Sequence, residues 1–130
     1  MNIDYFLAED EEISASTWCK HKRIIFSRSL LDASPEIFDF IHAHELAHLE
    51  WYMHVSHDQP EHWKIDVRAA QMTSKKSAIC ALNQLRYQYK DVCPKDRLRG
   101  WRRLYAWIYL SKAEIMREID NRIQKVNESP

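Results

Sequence analysis

The stretch His44-Glu45-Leu46-Ala47-His48 places two imidazoles four residues apart, with a carboxylate directly after the first. On an α-helix such residues lie one turn apart on the same face, so His44 and His48 can aim a ring nitrogen at one metal ion. Glu45 is turned about 100° round the helix from His44. There it stands beside the ion, placed to take a proton from a metal-bound water. Zinc suits imidazole ligands and brings the pKa of its bound water to about 7. The spacing is that of zinc hydrolases acting on peptide bonds.

A catalytic zinc takes three protein ligands and keeps one position open. Six of the seven histidines fall between positions 42 and 62. The third ligand is sought among His54, His57 and His62, with the acids Asp58 and Glu61 as further candidates. His54 is six residues past His48 and on a continuing helix points away. His57 is in a loop, where the chain can turn back to the metal, and is the favoured choice. His62 stands beside Trp63, as a packing residue or a polar group near substrate. Tyr52, His54 and His62 are the candidate donors to a transition-state oxyanion.

The elements that must hold these residues are readable from periodicity and caps. Ser34-Pro35-Glu36 starts a helix, with serine as cap and proline at the first position. Ile37, Phe40, Ile41, His44, His48 and Trp51 recur at helical spacing, and the helix ends near Met53 or His54. Before it, Ile13 to Cys19 and Arg23 to Ser27 read as two strands joined by a short turn at Lys20-His21-Lys22. Residues 1–12 are acidic and expected to be loosely docked. After a loop through Pro60, helical patterns run from Glu61 through Met72, and from a Ser74 cap through Tyr89. Cys93 to Asp96 is a break. Leu98, Trp101, Leu104, Tyr105 and Ile108 form a stripe, and a capping box at Ser111 to Glu114 starts a last helix through Val126. A single bent helix over 96–126 fits nearly as well.

Composition narrows the alternatives. The chain has 130 residues and one glycine, Gly100. Phosphate-binding loops and dinucleotide folds need several glycines, so they are excluded. Few turn formers argue against a sandwich or barrel and for one mostly helical domain over 1–130. Three cysteines (Cys19, Cys80 and Cys93) lack metal-pair spacing, and their odd number favours a reducing, cytoplasmic setting. No signal peptide is seen, and the uncharged run from Leu104 to Leu110 is far too short to cross a membrane. The net charge of zero divides unevenly: residues 1–63 carry 4 basic and 12 acidic groups, and residues 64–130 carry 15 basic and 7 acidic groups. The two parts either attract each other or present opposite surfaces, and the basic part is suited to an acidic partner.

Trp18-Cys19, Arg23-Ile24-Ile25-Phe26, Leu30-Leu31, Ser34-Pro35-Glu36, Phe38-Asp39-Phe40, His44 to Leu49, His57-Asp58 and His62-Trp63 together resemble the YgjP-like metallopeptidase domain. That group is akin to the SprT-like and WLM families. The likeness covers residues 13–63, and the zinc helix is its specific part. In that group the third histidine usually follows the motif more closely, and the serine or glycine expected after it is Asp58 here. The resemblance implies zinc on His44, His48 and His57, with Glu45 as general base. It also implies an α+β, mostly helical, minimal zincin-like domain: a short hairpin or small sheet, a central zinc helix and C-terminal helices. In such domains the strand before the zinc helix can pair with an extended peptide, which points to Arg23 to Ser27.

The expected function is therefore zinc-dependent hydrolysis of a peptide or protein substrate, with no other cofactor and no membrane. The alternatives are a DNA-associated or regulatory interaction module that keeps a vestigial zinc site, or a metallohydrolase acting on another bond. The first draws on Lys95, Arg97, Arg99, Arg102 and Arg103, which surround Trp101 and precede Tyr105 and Trp107. Basic groups interleaved with aromatics can bind phosphates and stack bases. Trp101 and Tyr105 also fit a core stripe backed by a solvated basic face.

Overall fold

The apolar run Tyr5-Phe6-Leu7 is short and flanked by acids, yet it forms a strand. A computed structural model describes residues 2–9, 12–90 and 112–130. In it β1 (Asp4–Ala8), β2 (Ala15–Trp18) and β3 (Arg23–Ser27) make one three-stranded sheet in the order β1-β3-β2. β2 and β3 form the expected hairpin, antiparallel with Thr17 opposite Ile24. A short 3-10 turn over Cys19–His21 joins them and closes on Lys22 in the left-handed region, φ 50°. β1 was not expected. It lies parallel to β3, pairing Tyr5 with Ile24, and so ties the acidic N-terminal stretch to the sheet.

This order corrects one expectation. β3 is the central strand, with its backbone groups committed to β1 on one side and β2 on the other. Arg23 to Ser27 therefore has no free edge for a peptide. Among the described residues, the open edge next to the zinc-motif helix belongs to β2.

α1 (Pro35–His54) and α3 (Lys75–Lys90) begin where their serine caps predict. α1 (Pro35–His54) starts with the Ile37 amide donating to Ser34 Oγ at 3.4 Å and proline at its first position. It ends as the Val55 and Ser56 amides both turn back to the Trp51 carbonyl. α2 (His62–Met72) follows the loop. α3 (Lys75–Lys90) is capped by Ser74, whose Oγ accepts from the Ser77 amide at 3.0 Å. α4 (Lys112–Glu128) is the last helix. The break at Cys93 to Asp96, the stripe from Leu98 to Ile108 and the cap at Ser111 lie outside the described residues.

α1 is central and packs against β2, α2 and α3, while α4 packs on α2 and α3. Ile24, Leu30, Leu49, Ile65, Leu82, Ile119 and Val126 are fully buried, so every layer contributes to one apolar centre. Ala43 and Ala47 on α1, Ala69 and Ala70 on α2, and Ala78 and Ala81 on α3 are buried too. Small side chains let helix axes approach closely, which brings α2 over the histidine-bearing turn of α1. Among the described residues, no helix is long and apolar enough to cross a membrane.

Candidate functional site

His44 and His48 lie one turn apart on the same face of α1. His44 Nε2 and His48 Nε2 stand 3.1 Å apart, with the ring centroids at 4.7 Å. Two nitrogens about 2.0–2.1 Å from one tetrahedral ion are separated by about 3.3 Å, so the pair is spaced like two corners of a zinc site.

The other ring nitrogens are held by acceptors. His44 Nδ1 donates to Asp66 Oδ1 at 2.9 Å. Asp66 is completely buried on α2. Arg122 Nε donates to its Oδ2 at 2.6 Å and Arg122 Nη2 to its Oδ1 at 3.0 Å. His48 Nδ1 lies 2.8 Å from Gln59 Oε1. The Gln59 amide nitrogen donates to the His48 carbonyl at 3.2 Å and approaches Cys19 Sγ at 3.7 Å, which fixes the amide with its oxygen toward the ring. Both imidazoles thus carry their proton on Nδ1. When both are neutral, the two Nε2 lone pairs face each other across 3.1 Å. That contact is repulsive unless a cation, either a metal ion or a shared proton, stands between them.

His62 opens α2 and turns its ring to the pair, with centroids 6.1 Å from His44 and 6.2 Å from His48. Two imidazoles on one tetrahedral ion have centroids roughly 5.2 Å apart, so His62 needs a shift of about 1 Å to join them. Its Nδ1 meets Glu118 Oε1 at 3.1 Å, which leaves Nε2 as the nitrogen able to hold a metal. Among the described residues, no three metal-donor side chains already converge on one point. His44 and His48 face each other, and the His62 ring lies beside them on the same cavity wall.

The other candidates lie elsewhere. His57 is exposed and stacked on Tyr52 at 4.2 Å, with an interplanar angle of 11°. His54 is exposed at the last turn of α1. Asp58 uses its carbonyl to accept from Trp51 Nε1 at 2.9 Å, and the Glu61 carboxylate accepts from Trp63 Nε1. His42, on the opposite side of α1, meets the Tyr5 hydroxyl at 2.9 Å among Phe26 and Phe38, as a packing histidine. The six clustered histidines of the sequence therefore separate, and His44, His48 and His62 share one place.

That place is the wall of a cavity of ≈ 560 Å³ between the β2 edge and helices α3 and α4. His44, Glu45, His48, Gln59 and His62 line it, with Ile13 to Thr17 along one side. Glu45 is buried, and the Thr17 hydroxyl of β2 donates to its Oε2. Apolar Phe40, Ile41, Leu82, Leu85, Ile115 and Ile119 form the floor.

The electrostatics favour ligand-ready groups. Burial holds His48 below the usual imidazole range. The nearby His44 and His62 add to this, against the Gln59 hydrogen bond and the Glu45 charge, and the result is the neutral ring a metal requires. For Asp66, burial pushes the carboxyl up, but the His44 and Arg122 hydrogen bonds and charges outweigh it and hold the group below its ordinary value. Burial, then Glu45, raises the Cys19 thiol, so it stays protonated beside the site.

Asp66, Gln59, Thr17, Glu118 and Arg122 were not among the residues read from sequence. One of them left a trace: His62 and Asp66 are four apart at the start of a helix, the same spacing as His44 and His48. The basic and aromatic cluster from Lys95 to Trp107 lies outside the described residues. Comparisons with protein-family models, curated proteins and solved structures return no match to this chain. The likeness to the YgjP-like group rests on the residues quoted for it alone.

Proposed function

We propose that the protein is a zinc-dependent hydrolase of peptide bonds. His44 and His48 hold the metal, His62 is the third ligand, and Glu45 is the general base. The observation that carries this reading is the pair of Nε2 atoms facing each other at 3.1 Å, with both Nδ1 atoms taken by acceptors. Carboxylate-to-histidine bonds of the Asp66 kind orient metal ligands and raise their basicity. His62 replaces His57 in this reading because its ring faces the pair from the cavity wall, whereas His57 is stacked on Tyr52.

A zinc ion there would acidify a bound water and polarise the carbonyl to be cut. Glu45 is buried on the cavity wall, next to His44 in sequence, and takes the proton from the attacking water. It then delivers the proton to the departing amine. The Thr17 hydroxyl fixes one Glu45 oxygen and leaves the other for this exchange. An extended peptide would pair with the open edge of β2 and cross the cavity beside Glu45. The apolar floor favours a large apolar side chain next to the bond cut.

The test is Glu45→Gln assayed against a denatured protein substrate, with zinc content measured in parallel. The reading expects zinc retained and hydrolysis lost by at least about 100-fold, within the range removed with a general base. A variant that hydrolyses as fast as the parent ends the reading. A nucleic-acid-binding module would show no hydrolysis in either protein and unchanged binding.

A further inference from the structure

Glu118 and Arg122 lie four residues apart on α4, so they share one face of that helix. His62 and Asp66 stand in the same relation on α2. The two pairs meet rung for rung. Glu118 bonds His62 at 3.1 Å and Arg122 bonds Asp66 at 2.6 and 3.0 Å, each across 56 positions of sequence. The first rung ends directly on a histidine of the cluster. The second ends on His44 through Asp66 Oδ1, at 2.9 Å. Only His48 is oriented from elsewhere, by Gln59 in the loop before α2.

The chemistry of the two rungs is directional. A carboxylate only accepts, so Glu118 and Asp66 each call for a proton on the facing Nδ1 and a lone pair on Nε2. Arg122 occupies both oxygens of Asp66 and limits how the carboxylate can rotate. Its side chain, like that of His44, is only 12 % exposed, so little water competes for these bonds.

We propose that α4 is a positioning helix for the metal site. Through Glu118 it sets the tautomer and direction of His62, through Arg122 it holds the Asp66 carboxylate that directs His44, and a docked α4 is required for tight metal binding. The metal part of this claim rests on the zinc reading above; the tautomer part does not.

The test uses the full chain and two readouts. Affinity for cobalt(II) and zinc is measured by chelator competition for wild type, Glu118→Ala, Arg122→Met and Arg122→Lys. The nitrogen resonances of His44 and His62 are recorded in the metal-free proteins. Glu118→Ala and Arg122→Met are each expected to weaken metal binding about 10- to 100-fold, the usual effect of losing such a partner. They should also move the visible spectrum of bound cobalt. Arg122→Lys should recover part of the loss. In the metal-free state, the proton should move from Nδ1 toward Nε2 on His62 in Glu118→Ala, whereas in Arg122→Met the Asp66 carboxylate still accepts from His44, so His44 keeps its proton on Nδ1 and the loss is read in metal binding alone. Affinities within twofold of wild type with an unchanged His62 tautomer would overturn the proposal. If wild type binds neither metal, the zinc reading fails, and the His62 tautomer alone decides between positioning and mere packing. If Arg122→Met does not fold, Glu118→Ala at its half-exposed site decides in the same way.

Discussion

Replacing Asp66 with asparagine keeps the volume of the side chain and removes its charge. Asp66 is 0 % exposed, and its two oxygens accept from Arg122 twice and from His44 once. Removing one partner of a buried ion pair costs about 3–5 kcal/mol, because the other charge is left uncompensated. Asparagine retains one acceptor oxygen, so roughly half of that penalty, about 2–3 kcal/mol, is expected at pH 7. In a chain of this length each kcal/mol moves Tm by about 3–5 °C, which gives a fall of roughly 6–15 °C. The pH dependence has a definite sign. The Asp66 pKa is lowered in the folded protein, against an unfolded value of about 3.9. Its contribution is complete above the unfolded value and is lost as pH falls through the folded one. The stability gap between wild type and Asp66→Asn should therefore hold at pH 7 and narrow steadily below about pH 4. Urea unfolding at several pH values, with a chelator present so that no metal contributes, measures the gap directly. A gap under about 0.5 kcal/mol at pH 7, or one that widens in acid, would refute this account of Asp66.

The local elements were legible because their signals are local. Ser34 and Pro35 start α1 where a cap and a first-turn proline should, and Ser74 starts α3 in the same way. The spacing of His44 and His48 was sufficient to place their Nε2 atoms together. β1 was not legible. Its apolar centre, Tyr5 to Leu7, sits among acids, and its partner β3 is reached by a parallel, non-local pairing. That strand occupies one side of β3, so the open edge next to α1 is that of β2. The third ligand was sought in a loop because a loop can turn back. Here the turn is spent stacking His57 on Tyr52, and it is the first residue of α2, His62, that comes over the pair. No sequence signal announces Arg122 or Glu118, since both act across the packing of α4 on α2.

Three further outcomes are expected. His62→Ala should weaken zinc binding at least about 100-fold in a chelator competition, as befits a lost ligand, whereas His57→Ala should stay within a few-fold of wild type. The reverse order would return the third ligand to the loop. Thr17→Val should keep metal content at the wild-type level while lowering kcat, because the hydroxyl holds Glu45 and touches no histidine; an unchanged kcat would show that Glu45 needs no such support. Leu49→Ala, at a fully buried position in the zinc-motif helix, should cost about 2–5 kcal/mol in chemical unfolding, and a loss below about 1 kcal/mol would show the core there to be loose.

The central claim is that the facing Nε2 atoms of His44 and His48 are held for a metal ion. Elemental analysis of the full chain, made without a histidine tag and dialysed against buffer containing trace zinc, tests it most directly. The account predicts about one zinc per chain, lost in both His44→Ala and His48→Ala, together with a rise in Tm on zinc binding. A protein that stays metal-free, with a Tm unmoved by added zinc, would contradict it and leave a shared proton between the two rings.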